Sequence, residues 1–279
     1  MTFFELLDKV NKKYDNKFVN INILIHISKK IKSPTDIIMH RNEQIDFNDC
    51  AYYQMLDDYY KKKIPLAQIT HCSFFNGIEL QVNDMVHCPR SETEMMAQLV
   101  QILMIQNPQL KSILDICAGS GCVGLSIAKN LKYTTVDLLE KDSKALTNIL
   151  NNISKLDMDE RANVIAGDFF QLIKKAKTKF DVVVMNPPYD PLEELDNEMT
   201  KYENKSSFCN AANPYAFYSA LLEHYKNIVN EKQFLIACEF GINQKETLEN
   251  MVKNAGLGDY THFYKDLNDI WRFFIIFKH

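Results

Sequence analysis

The stretch Asp115-Ile116-Cys117-Ala118-Gly119-Ser120-Gly121 ends a short apolar run that begins at Ile113, and leads into Val123, Ile127 and Leu131 at helical spacing. Strand, glycine turn and helix in that order open a parallel α/β unit, in which the turn's backbone amides point into the crevice beyond the strand end. The alternation continues outward. Thr134 to Leu139 reads as a strand, Leu146, Ile149, Leu150 and Ile153 as a helix face, and Asn163 to Ala166 and Phe180 to Met185 as two more short β-rich strands. A helix near Tyr215 to Val229, a strand at Phe234 to Cys238, a helix at Gln244 to Asn254 and strand-like runs at Gly258 to Tyr264 and Trp271 to Phe277 complete the pattern. The order predicts an α/β fold, a mostly parallel sheet covered by helices on both faces.

Upstream of this core the periodicity changes. From Phe3 to about Lys63 apolar residues recur at helical spacing, as at Ile23, Ile27 and Ile31, and predict a small helical bundle that ends at a break at Pro65. Ile69 to Phe75 and Ile78 to Val82 are strand-like and joined by Asn76-Gly77, a pair that supplies positive φ at both centres of a type I′ turn, so a β-hairpin is expected. In Pro89-Arg90-Ser91-Glu92-Thr93-Glu94 the spacing of Ser91 and Glu94 predicts a capping box on a helix running to about Ile105.

Glycines at the strand end let a ligand approach the backbone closely. At the end of the next strand stands Glu140, placed like the acid that grips the ribose hydroxyls of a nucleotide cofactor. Each such charged hydrogen bond contributes roughly 1.5 to 3 kcal/mol. Gly119, Gly121 and Gly124 also satisfy G-x-G-x-x-G, so the loop alone does not choose between a dinucleotide and another adenosine cofactor. After the third strand, Gly167-Asp168-Phe169 offers an acid for an adenine amino group and a ring to pack on the base. Successive strand ends thus supply one group each to a single crevice.

The fourth strand runs into Asn186-Pro187-Pro188-Tyr189. Two prolines remove two backbone donors and fix φ, leaving the carbonyls of Asn186 and Pro187 as acceptors on a stiff frame, with Tyr189 able to lie against a flat group. This arrangement is suited to an NH₂ group. An amide nitrogen is a poor nucleophile because its lone pair is delocalised, so an enzyme that methylates it must hold both N–H groups and aim the nitrogen at the methyl donor.

A chain of 279 residues, 46% apolar and 24% charged, has room for one large domain or a large and a small one. Its apolar runs are far shorter than the roughly 20 residues of a membrane-spanning helix, and its N-terminus lacks a basic stretch followed by an apolar core, so no membrane partner and a cytoplasmic location are expected. The net charge of -4 and pI near 6.0 lack the basic excess of tight duplex binders, so no direct sequence-specific nucleic-acid binding is expected. Seven cysteines are scattered singly without metal-ligand spacing; they read as reduced thiols, and no metal is expected.

Taken together these residues resemble the Asn-Pro-Pro-Tyr class of methyltransferases and, within it, the HemK/PrmC family of peptide chain release factor glutamine N5-methyltransferases. The resemblance runs through Pro65 to Thr70, Phe74-Phe75, the Pro89 to Glu94 segment, Ile113 to Gly121, Glu140, Asp168-Phe169, Tyr202-Glu203, Cys238 to Gly241 with Gln244, and Lys265-Asp266-Leu267 with Arg272. It implies a seven-stranded class I (Rossmann-like) methyltransferase domain at 89–279, a helical substrate-docking domain at 1–64 and a linker with a β-hairpin at 65–88. The implied cofactor is S-adenosyl-L-methionine, held by Asp115, Cys117, Ala118, Gly119, Ser120, Gly121, Glu140, Asp168, Phe169 and Asn186. Asn186, Pro187 and Tyr189 are the implied catalytic residues, and Pro188, Arg90 and Glu94 join them in binding substrate, a glutamine in the Gly-Gly-Gln motif of a release factor. Departures from the family pattern are Ser91 for proline, His71 for glycine, Asn204 for the proline after Tyr-Glu, Cys117 and Ala118 in the loop, and Glu140 for aspartate. Two rivals share the core: a ribosomal-protein glutamine methyltransferase, and an adenine-N6 DNA methyltransferase, which extrudes its base and carries a target-recognition region.

Overall fold

The computed structural model describes residues 1–189, 201–202 and 213–279. They fall into two units, residues 1–71 with Lys201 and Tyr202, and the remainder from residue 72 onward.

The first unit consists of α1 (Phe3–Lys13), α2 (Lys17–Ile27), α3 (Pro34–Met39), α4 (Asp49–Tyr60) and α5 (Leu66–Thr70). Thr2 and Glu5 form a capping box at the start of α1, which satisfies two helix-end donors. Phe3, Leu6 and Val10 on one face of α1 are buried with Val19, Ile23, Leu24, Tyr52 and Leu56 in one cluster. The buried Tyr52 phenol donates to the Asn20 carbonyl at 2.7 Å, so its polar end is satisfied. Ile31 lies beyond α2 yet is fully buried. The strand expected from Ile69 starts only at Cys72. Pro65 presets a helical turn by accepting from the Gln68 amide, and His71, at φ 50°, ends it in the left-handed region. Gln68 Nε2 donates to the Tyr202 carbonyl and the Tyr202 hydroxyl to the Lys62 carbonyl, tying Tyr202 to this unit. Its sequence partners Glu203 and Asn204, like Cys209, lie outside the described residues.

The second unit opens with the hairpin β1 (Cys72–Phe75) and β2 (Ile78–Gln81), turning at Asn76 (φ 47°) and Gly77 (φ 80°) as the Asn-Gly pair predicts. Two asparagines on α8 (Ser143–Lys155) pin it. Asn148 and Asn152, both fully buried, accept from the Asn83 and Gln81 amides, and both donate to the Gln81 carbonyl. Residues four apart share a helix face, so one side of α8 reads the hairpin backbone.

α6 (Ser91–Gln106) starts without the expected box: Ser91 is inside the helix, Arg90 is the N-cap, and no side chain caps it. Ser91 Oγ donates to Glu92 Oε2 instead, and Glu94 accepts from the Asn76 amide at 2.7 Å, which takes it out of the reciprocal pairing.

The remaining strands are β3 (Ser112–Ile116), β4 (Thr135–Glu140), β5 (Ala162–Ala166), β6 (Val182–Met185), β7 (Phe234–Glu239), β8 (Thr261–Lys265) and β9 (Trp271–Lys278). They form one seven-stranded sheet in the order β5-β4-β3-β6-β7-β9-β8, with only β9 antiparallel to its neighbours. Alternate side chains enter two cores. Ile113, Val136, Val182 and Leu235 pack against α6, α7 (Cys122–Asn130) and α8, while Leu114, Val183, Ile236 and Phe274 pack against α9 (Phe169–Lys175), α10 (Ala216–His224) and α11 (Lys245–Asn254). Val182 to Met185 are all fully buried, and such side chains contribute about 1.5 to 3 kcal/mol each. The expected strand at Gly258 begins one turn late, because Gly258–Tyr260 is a 3₁₀ turn before β8. Among the described residues no helix is long and apolar enough to cross a membrane, and the described cysteines are free thiols.

Candidate active site

Strand order reverses direction between β4 and β6 on either side of β3, and that switch point opens a crevice at the strand ends. The turn after β3 carries positive φ at Cys117 (59°), Gly119 (57°) and Gly121 (79°). A side chain at Gly119 would meet only the Cys117 carbonyl at 4.0 Å, so its backbone stays open. Gly121 faces inward: a Cβ there would lie 2.7 Å from Leu125 Cδ1, and this residue caps α7 without lining the cleft. Gly124 allows α7 to sit against β3, since a Cβ would come within 2.9 Å of Asp115.

Asp115 accepts from the Gly124 amide at 2.8 Å. Burial pushes its carboxyl up to about 7, with the Glu140 charge adding to the rise and the Gly124 bond opposing it. Glu140 is bound to backbone on both sides: Oε2 accepts from Gly119 at 2.9 Å, and Oε1 from Lys141 and Asp142 at 2.8 and 2.9 Å. One carboxylate thereby joins the end of β4 to the glycine turn. Asn152, which holds the hairpin, also donates to the Ser120 carbonyl at 3.0 Å. Burial pushes the Cys122 thiol to about 12, leaving it an inert packing group.

Asp115, Cys117, Ala118, Ser120 and Glu140 line one cleft with Asp168, Phe169 and Asn186 to Tyr189. Asp168 Oδ1 also caps α9, accepting from Phe170 and Gln171 at 2.9 and 3.3 Å, and Phe169 stacks on Phe217 with ring centroids 5.5 Å apart. Arg90 and Glu94 do not line this cleft. Glu94 sits under the hairpin turn, and the residue of that segment that reaches the cleft is Thr93.

The far end depends on residues that the sequence motifs contain but did not place in the site. Asn186 Nδ2 donates to Thr93 Oγ1 at 3.2 Å, and the Tyr189 phenol donates to Glu239 Oε1 at 2.6 Å. Gln244 accepts from the Gly241 amide at 2.9 Å and donates to the Tyr189 carbonyl at 3.4 Å. Gly241 lets the segment lie close to the Tyr189 ring, since a Cβ there would come within 3.1 Å of it. Burial pushes the Glu239 carboxyl up, and the Thr93 and Tyr189 hydroxyls oppose the shift. Glu239, Gly241 and Gln244 were visible as a motif, but their contact with Tyr189 is a tertiary fact. Met85, Val86 and His87, which follow the hairpin, wall the cleft and carried no sequence signal.

The cleft fits an adenosine cofactor bearing a positive centre. Its open backbone turn suits a close-lying nucleoside, and Glu140, Asp142 and Asp168 outnumber Lys141 among its charged side chains. Among the described residues no cluster has the make-up of a metal site.

Known proteins share the fold and much of the sequence. A family model described as conserved hypothetical protein 95 matches residues 94–232. The solved SAM-dependent methyltransferase of Agrobacterium tumefaciens shares the fold, with a TM-score of 0.56 at 10% identity over 75% of this chain and 70% of its own. A release factor glutamine methyltransferase of Clostridium botulinum is 28% identical over 91% of this chain and 83% of its own. That of Mycoplasma mycoides subsp. mycoides is 30% identical over 99% of this chain and 98% of its own, and with the Asn-Pro-Pro-Tyr segment set in the same cleft as the glycine turn, the chain belongs to the family of release factor glutamine methyltransferases.

Proposed function

We propose that this chain transfers the methyl group of S-adenosylmethionine to the side-chain amide nitrogen of a glutamine, the one in the Gly-Gly-Gln motif of a peptide chain release factor. The observation that carries this reading is that Asn186, Pro187 and Tyr189 line one cleft with Gly119 and Glu140. Full-length similarity to release factor glutamine methyltransferases supports the substrate class.

The cofactor supplies an electrophilic methyl on a positively charged sulfur. Everything else falls to the chain. The turn after β3 offers its backbone to the nucleoside, and Glu140, already fixed by three amides, keeps one lone-pair site, on Oε2, for a ribose hydroxyl. Asn186 and the Pro187 carbonyl accept from the substrate NH₂, which favours a nitrogen with a more localised lone pair. Tyr189, held by Glu239 and Gln244, packs on the planar amide. The nitrogen becomes cationic on attack and then releases a proton, so no strong base is needed beforehand. The helical unit at 1–64 is assigned the docking of the protein substrate.

The test is direct. The purified chain is incubated with isotopically labelled adenosylmethionine and a purified release factor, and the methyl is mapped by mass spectrometry. A single methyl on the Gly-Gly-Gln glutamine is expected. A label on a ribosomal protein or on DNA, with none on the release factor, overturns the reading.

A further inference from the structure

Exposed aliphatic side chains scattered singly over a surface are ordinary. Two of them at the mouth of a site, on loops that the fold holds stiff, call for a partner. The loop after β7 and the β8–β9 hairpin supply such a pair.

β7 runs parallel to β6, with Met185 beside Cys238, and antiparallel to β9, with Glu239 beside Phe273. The end of β6, the end of β7 and the start of β9 therefore lie at one edge of the sheet. Asn186 to Tyr189, Phe240 to Gln244 and the hairpin tip from Asp266 to Ile270 all extend from that edge. The Phe240 amide donates to the Arg272 carbonyl at 2.8 Å and joins the last two.

The hairpin tip is built around a buried acid. Asp266 accepts from the Asn268 and Ile270 amides at 2.8 and 3.1 Å and from Arg272 Nε at 3.2 Å. Trp271 at its base lies under Lys245 and Lys265, each ammonium 5.1 Å from the ring centroid. From this frame Leu267 stands out, 86% exposed. Ile242, 60% exposed, follows Gly241, the residue that lies against the Tyr189 ring. The three cations of these loops are each paired: Lys245 with Glu249 at 2.6 Å, Lys265 with Asp269 at 2.8 Å and Arg272 with Asp266. A nucleic-acid backbone, which binds by displacing counterions from its phosphates, would find these cations already taken. An apolar protein surface would find two aliphatic side chains still to be buried.

We infer that Ile242 and Leu267 form an apolar rim at the transfer end of the cleft, which docks uncharged, apolar side chains of the folded protein that bears the target glutamine. The inference rests on the function proposed above and deepens it, giving the methyltransferase unit its own share in recognising the protein substrate.

The full chain, Leu267→Ser, Ile242→Ser and the double variant are assayed with labelled adenosylmethionine on two acceptors, an intact release factor and a short peptide spanning its Gly-Gly-Gln motif. With the intact factor, kcat/KM is expected to fall roughly 5- to 50-fold in each single variant and further in the double, through KM. The peptide, whose glycines carry no side chain to bury, is expected to react within about twofold of the parent rate, and calorimetric affinity for adenosylmethionine is expected to hold equally well. Leu150→Ser, at an exposed leucine on α8, is the surface control and is expected to leave both acceptors unchanged. An unchanged kcat/KM for the intact factor overturns the inference. So does a loss of equal size on the peptide, which would mean a reshaped cleft, or an equal loss from Leu150→Ser. A parent chain that labels the peptide and not the intact factor overturns it as well, whereas one that labels neither brings down the functional reading, and this inference with it.

Discussion

At one end of the cleft, the turn from Asp115 to Gly121 is shaped by its own backbone, with positive φ at Cys117, Gly119 and Gly121, and by one carboxylate from the end of the next strand, Glu140, bound to three backbone amides. At the other end, Asn186 to Tyr189 is shaped by side chains far away in sequence, Thr93 on α6, Glu239 on β7 and Gln244 before α11. The nucleoside end is built largely from backbone. The transfer end is a chain of side-chain hydrogen bonds in which each member depends on the next.

That contrast predicts that substitutions at the two ends separate binding from turnover. Asn186→Ala is expected to have the largest effect, lowering kcat by roughly 100- to 1000-fold while calorimetric affinity for adenosylmethionine survives. Lost affinity of the same size would merge the two ends. Glu140→Ala is expected to do the reverse, weakening cofactor binding by roughly 10- to 100-fold through one lost charged acceptor of about 1.5 to 3 kcal/mol. Unchanged affinity would remove Glu140 from the ribose role.

Asp115 sharpens the comparison through pH. Its carboxyl, raised by burial to about 7 from the usual 3.8, is protonated in the folded chain where the unfolded chain is already ionised. The stability from holding that proton is fully present below the unfolded value and lost as pH rises through about 7. Asn at this position has no such loss. Asp115→Asn should therefore gain on the parent by about 1 to 3 kcal/mol between pH 5 and pH 9 in urea denaturation without cofactor. A gap that does not grow with pH would mean the group stays ionised throughout. Smallest of all, Ser91→Ala should shift stability by no more than about 0.5 kcal/mol, because the capping bond its spacing advertised is not made. A loss of about 1 kcal/mol or more would restore the cap.

These outcomes follow how legible each region was. The alternation of strands and helices, the Asn-Gly turn and the glycine loop are local patterns, and the structure has each of them. Ser91 and Glu94 failed as a capping box because Glu94 had a better partner across the fold, the Asn76 amide of the hairpin. The same competition explains the late start of β1: Ile69 and Thr70 are strand-like residues, but Pro65 and His71 supply the ends of a helical turn that includes them. Arg90 and Glu94 were drawn into the site by a motif whose cleft-facing member is Thr93, a residue with no chemistry of its own to attract attention.

The sequence by itself determined the layer order, the crevice and the kind of group placed at each strand end, because periodicity and turn chemistry act between residues a few positions apart. Tertiary structure alone decided that Asn186 meets Thr93, that Tyr189 meets Glu239 and that Met85 to His87 close the wall. Those outcomes depend on hydrogen bonds and packing between segments from 50 to 93 residues apart, and no local pattern records which buried donor meets which buried acceptor.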